Sequence, residues 1–91
     1  MNAYRFIITG KVQGVAYEKS IQQVASLGQL KGFVKKLKDG SVEVVVDLDE
    51  CQLDEFTSVL KRGSSMSEVE DITYEILQED DLLYDGFEIR Y

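Results

Sequence analysis

Histidine and proline are absent from the 91 residues, and cysteine occurs once, at Cys51. Without histidine, neither a Ser-His-Asp nor a Cys-His nucleophile system can be assembled, and no histidine-ligated zinc site can form. A single cysteine rules out an internal disulfide. Together with the lack of a signal-like apolar stretch at the N-terminus, it points to a reducing, cytoplasmic setting. Cys51 itself reads as a small, inert residue near a helix start, since no imidazole is available to activate it. No hydrophobic run is long enough to cross a membrane. Positive charge is scarce: 10 Lys and Arg face 17 Asp and Glu, a net charge of −7, which disfavours nucleic acid as a partner. The acidic residues are spread over 43–54, 68–71 and 79–85, and the densest group, Glu79-Asp80-Asp81, reads as a solvated loop tip and not a metal cage.

What is present suits one domain. A chain of 91 residues with 44% hydrophobic content can bury about two-thirds of the surface its unfolded form exposes, so 1–91 is read as a single unit, by default a monomer. Residues 4–11 are apolar and aromatic enough for a strand, and Phe6 and Ile8 on one face with Ile7 on the other suggest that it lies centrally in a sheet. A helix is expected near 18–28, with Tyr17, Ile21, Val24, Ala25 and Gly28 on one face. Residues 30–37 read as a second strand. Lys38-Asp39-Gly40-Ser41 is a hairpin turn, because Asp-Gly tolerates positive φ. Val42, Val44 and Val46 mark the inner face of a third strand over 42–48. Asp49 and Gln52 have the spacing of a capping box ahead of a second helix near 51–62, whose buried stripe is Leu53, Phe56 and Leu60. Residues 69–77 alternate again, with Ile72, Tyr74 and Ile76 on one side, and Phe87, Ile89 and Tyr91 form a short last strand. The order β-α-β-β-α-β with a final β predicts an α+β, ferredoxin-like sandwich, an antiparallel sheet with two helices on one face.

The segment between the first strand and the first helix carries the functional signal. Gly10-Lys11-Val12-Gln13-Gly14-Val15-Ala16-Tyr17-Glu18 is a strand end, a glycine-bearing loop and a helix start in succession. Such a sequence turns consecutive backbone N–H groups into one concavity, and the helix dipole adds to the attraction for an anion. The shape alone is common in ordinary turns, so it suggests a site without specifying one.

The exact string is more specific. It resembles the signature loop of the acylphosphatase family, Gly-Arg/Lys-Val-Gln-Gly-Val-x-Phe/Tyr-Arg. The likeness extends over nearly the whole chain: Gly32-Phe33-Val34-Lys35-Lys36-Leu37-Lys38-Asp39-Gly40-Ser41-Val42 is similar to the family's Gly-Trp/Tyr/Phe-Val-x-Asn-x-x-Asp-Gly-x-Val. The stretch 63–69 is similar to its Gly-Pro turn, with Ser64 in place of proline, and Phe87-Glu88-Ile89-Arg90-Tyr91 is similar to its last strand. The resemblance implies hydrolysis of small acyl phosphates to carboxylate and phosphate, with no cofactor and no metal. It also implies a phosphate-binding role for Gln13, Gly14, Val15, Ala16, Tyr17 and the residue at 18, and places the two catalytic positions at 18 and 36.

At those two positions the chain departs from the family. Glu18 stands where the family keeps the arginine that holds the phosphate, and Lys36 where it keeps the asparagine that orients the attacking water. Gly28 lies one position earlier than the family's glycine, with Gln29 at the usual place, which predicts a local rearrangement of the helix C-cap. The expectation is therefore an acylphosphatase-like domain with very low or no activity; the alternative is a silent module on the same fold that binds an anion or a partner. Opposite charges at 18 and 36 predict an ion pair across the old phosphate site. Lys31-Gly32-Phe33-Val34 faintly resembles part of an RNA-recognition signature. It falls on the second strand instead of the third, and the acidic chain lacks the stacking aromatics such a domain needs.

Overall fold

Alternation along the first strand sorts its side chains onto two faces. Tyr4, Phe6 and Ile8 are buried on one, while Arg5, Ile7 and Thr9 are half-buried on the other. The structure, a computed structural model, describes residues 2–13, 16–63, 67–77 and 86–90. Among these, the elements run β1 (Asn2–Lys11), α1 (Tyr17–Leu27), β2 (Lys31–Lys36), β3 (Val42–Leu48), a 3-10 turn (Glu50–Gln52), α2 (Leu53–Arg62), β4 (Glu68–Leu77) and β5 (Phe87–Arg90). The expected order is thus present. Tyr91, Ser64 and the Glu79-Asp80-Asp81 cluster lie outside the described residues.

The sheet has the order β4-β1-β3-β2-β5. Every pairing is antiparallel except β2 with β5, which is parallel. β1 is internal, bonded on both sides, but the middle strand is β3 and not β1 as the sequence suggests. The reason is visible in the residues: Val44, Val45 and Val46 of β3 are all buried, so this strand is covered on both faces.

Both helices pack on the face carrying Tyr4, Phe6 and Ile8. Tyr17, Ile21 and Ala25 of α1 and Phe56, Val59 and Leu60 of α2 join them in one core with Val34, Val42, Val44, Val46 and Leu48. Phe6 is fully buried, with ring centroids 5.6 Å from both Phe56 and Tyr74. Val24 and Gly28, expected on the inner face of α1, are exposed, and Glu18 is buried in their stead. The inner stripe of α1 is therefore rotated toward its N-terminal turn. Ile72, Tyr74 and Ile76 do share a face, but Tyr74 and Ile76 remain more than half exposed, because β4 is an edge strand. On the opposite face of the sheet Arg5 bridges Glu43 and Glu75, and the Arg90 guanidinium sits 4.4 Å from the Phe33 ring centroid.

The α1 C-terminus shows why Gln29 can replace a glycine. Gln29 N–H donates to Ser26 O at 3.1 Å and Leu30 N–H to Ala25 O at 2.9 Å, the bond pair of a Schellman motif. Gln29 adopts φ +57°, the left-handed conformation usually given to glycine, so a residue bearing a Cβ carries backbone strain here. That strain is about 1 kcal/mol or somewhat more for a residue bearing a Cβ. Gln29→Gly is accordingly expected to raise stability by about 1 kcal/mol, as a higher midpoint in urea with an unchanged slope.

At the 3-10 turn, Gln52 Oε1 accepts from Asp49 N–H at 2.9 Å and completes the capping box. The helix anticipated from 51 therefore begins as a 3-10 turn, with regular α-helix from Leu53.

Candidate active site

The path of the chain into the loop begins with a bulge. The β1–β4 register shifts between Thr9 and Gly10. A side chain at Gly10 is impossible there, since a Cβ would stand 2.2 Å from Glu68 O at a φ of +125°. The bulge bends β1 as it leaves the sheet, and Val12, fully buried, pins the start of the loop to the core.

Gln13 then ties the loop to the β2–β3 hairpin. Its Nε2 donates to Leu37 O at 2.9 Å and to Ser41 O at 2.8 Å. A carboxamide nitrogen has two protons, so both are committed to carbonyls, and any part Gln13 takes in holding an anion falls to its backbone N–H. The hairpin is itself closed by Leu37 N–H donating to Ser41 O at 2.9 Å. Asp39 Oδ1 accepts from the backbone and hydroxyl of Ser41, and these bonds, the hydroxyl's foremost, hold the Asp39 carboxyl below the usual range. Gly40 at φ +94° supplies the positive dihedral anticipated from the Asp-Gly pair.

At the other end of the loop, Ala16 is the N-cap of α1 in a left-handed conformation, φ 62°, with no side-chain cap. The first intrahelical bond shown is Ser20 N–H to Ala16 O at 3.0 Å. The N–H groups of Tyr17, Glu18 and Lys19 thus have no acceptor within the helix. Tyr17 sends its side chain away from the loop: its hydroxyl donates to Leu60 O at 2.7 Å in the core. Burial first, and then the neighbouring Glu18 carboxylate, push the Tyr17 phenol well above its ordinary range. Like Gln13, Tyr17 has only its backbone to offer an anion. Gly14 and Val15 lie outside the described residues.

Glu18 occupies the first turn of α1, only 6% exposed, and its Oε1 is buried with no hydrogen-bond partner among the described residues. The helix dipole favours a carboxylate in a first turn by about 0.3–1 kcal/mol at an exposed position, which offsets only part of the cost of burying an uncompensated charge. Lys36 is the last residue of β2, opposite Val42 and on the helix-bearing face with Val34, its side chain exposed. The expected ion pair between them does not form: among the described residues no salt bridge joins Glu18 to Lys36. Glu18 is buried in the first turn of α1, whereas the Lys36 side chain is exposed. Lys11 and Lys19 are exposed as well.

The depth of Glu18 and the paired hydrogen bonds of Gln13 are the features that sequence reasoning missed. Cys51 is exposed in the 3-10 turn, remote in the chain from the loop. Among the described residues no helix is long and apolar enough to cross a membrane.

Comparison with known proteins agrees with the geometry. The family described as acylphosphatase matches residues 4–89. An acylphosphatase of Borrelia garinii subsp. bavariensis is 38% identical over 93 aligned positions, covering 100% of both chains. The crystal structure of acylphosphatase from Bacillus subtilis superimposes with a TM-score of 0.91 at 35% identity, covering 100% of both chains. That of an acylphosphatase from Coxiella burnetii gives 0.86 at 30% identity, covering 98% of this chain and 92% of the other. With a family model matched over residues 4–89 and relatives matched end to end, the chain belongs to the acylphosphatase family.

Proposed function

We propose that this protein is an acylphosphatase-family hydrolase in which turnover of small acyl phosphates to carboxylate and phosphate is very slow or lost, leaving a loop that binds phosphate or a related anion. The reaction asks a water to attack phosphorus in line while the acyl carboxylate departs. The protein's contribution is position and charge, with no cofactor or metal in the steps. The observation that carries the reading is the burial of Glu18 in the first turn of α1, its Oε1 without a hydrogen-bond partner among the described residues. A carboxylate at that point opposes the negative charge that the equatorial phosphoryl oxygens carry in the transition state. Lys36 compounds the loss, because an ammonium donates but cannot accept, and so cannot hold a water by one of its protons. The same geometry supports the second reading, a silent anion-binding module, whose ligand would be inorganic phosphate. Either way the protein works as a small monomer in the cytoplasm, with neither nucleic acid nor membrane as partner.

Hydrolysis of benzoyl phosphate at neutral pH, with the purified chain at high concentration, tests this. Turnover is expected well below the ordinary enzymatic range of about 1–10³ per second. A value within that range would show that another group has taken over the work of the arginine and overturn the reading.

A further inference from the structure

Glu18 does more than remove an attraction; it changes what kind of anion the loop fits. The start of α1 offers the N–H groups of Tyr17, Glu18 and Lys19 without intrahelical acceptors and without a side-chain cap, which are donors for an oxyanion. In the same turn lies a carboxylate that can only accept. It is more than nine-tenths buried, and its Oε1 meets no donor among the described residues. An orphaned buried acceptor is costly until a donor reaches it. A ligand that satisfies both halves must carry anionic oxygens for the N–H groups and at least one O–H for Glu18. A bare cation meets the carboxylate but leaves the N–H groups facing positive charge, and one carboxylate is far short of a metal's ligand set.

We infer that Glu18 makes this loop selective for protonated oxyanions, the hydrogen-phosphate class, over fully ionised ones. This rests on the reading of the loop as an anion site and deepens it. Inorganic phosphate retains an O–H throughout the neutral range, and that proton can be donated to Glu18 Oε1. Sulfate has the same tetrahedral shape and no proton, so its oxygen would face the carboxylate acceptor to acceptor, charge to like charge. An acyl phosphate is more acidic than inorganic phosphate, because the acyl group withdraws electrons from the phosphoryl oxygens. Its terminal group is therefore fully ionised near neutrality and falls on the rejected side. The substitution at position 18 thus turns a site for the substrate into a site for the product.

The test compares inorganic phosphate with sulfate at pH 7 and constant ionic strength, following backbone amide shifts of the intact chain by NMR. A hydrogen bond to a charged group corresponds to roughly ten- to a hundredfold in affinity, so phosphate is expected to bind the native chain at least about tenfold more tightly than sulfate. Glu18→Gln keeps the shape of the side chain and can donate as well as accept, so it should bring the two anions within about threefold. Equal binding of the two by the native chain, a preference for sulfate, or a phosphate preference that persists in Glu18→Gln would each overturn the inference. If the native chain binds neither while folded Glu18→Gln and Glu18→Arg bind both, Glu18 merely repels anions: the selectivity fails and the anion-site reading stands. If all three folded proteins bind neither, both fall.

Discussion

Replacing Glu18 with arginine and Lys36 with asparagine in the same chain is expected to raise benzoyl phosphate hydrolysis by about a thousandfold or more. At ~4 Å and an effective dielectric of ~20, one unit-charge pair amounts to about 4 kcal/mol, and even one such contribution to the barrier is roughly a thousandfold in rate. Glu18→Arg changes the sign of that contribution at a buried position in the first turn of α1. Lys36→Asn, at the end of β2, supplies a carboxamide oxygen that can accept a proton from the attacking water.

The single changes should separate binding from catalysis. Glu18→Arg alone should tighten phosphate binding and admit fully ionised oxyanions as well, because the guanidinium adds to the helix N–H groups, yet recover little turnover. Lys36→Asn alone should change neither, since the carboxylate stays in place. Among the described residues no salt bridge joins Glu18 to Lys36, so removing Lys36 should leave the Glu18 carboxylate as it is in the native chain. The measurement is kcat and KM for the four proteins, with circular dichroism to show that each is folded. A double variant that is folded and inert would mean that the loop backbone has diverged as well.

Much of the fold was legible because it rests on local patterns. The valine-rich run Val42–Leu48 marked β3, Asp39-Gly40 gave the hairpin, and the spacing of Asp49 and Gln52 gave the cap. What could not be read depends on tertiary position. Tyr74 and Ile76 have the same alternating pattern as Phe6 and Ile8, but they lie on an edge strand and stay exposed. Gln29 holds a left-handed conformation that its residue type disfavours, because the Schellman bonds of the turn demand it. In the site, the loop string pointed to the family that the comparisons show. The carboxylate's depth and the tether from Gln13 to Leu37 and Ser41 arise from how the loop lies against a hairpin more than twenty residues further along. A long polar side chain carries no sequence signal for which way it will turn.

Gly32→Ala is expected to cost about 3 kcal/mol or more, from left-handed strain of about 1–3 kcal/mol and overpacking of about 1–3 kcal/mol. Gly32 lies at φ +149°, and a Cβ there would stand 1.9 Å from Val45 O and 2.9 Å from the Val46 Cα. Both atoms are backbone of β3, bonded to β1 on its other side, while β2 is held by β5 across the parallel pairing. Neither strand can retreat without breaking a second ladder. For a domain of this size about 1 kcal/mol moves the melting temperature by roughly 4–8 °C, so a fall of about 12 °C or more is expected in thermal denaturation followed by circular dichroism. Gly40→Ala is the control. Gly40 also has a positive φ, +94°, but among the described residues no atom beyond its chain neighbours lies within 4 Å of its added Cβ. It should lose only the conformational part, about 1–3 kcal/mol, and if the two variants lose the same stability, the close approach of β2 to β3 at Gly32 contributes nothing, and the reason for a glycine at that position must be sought in φ alone.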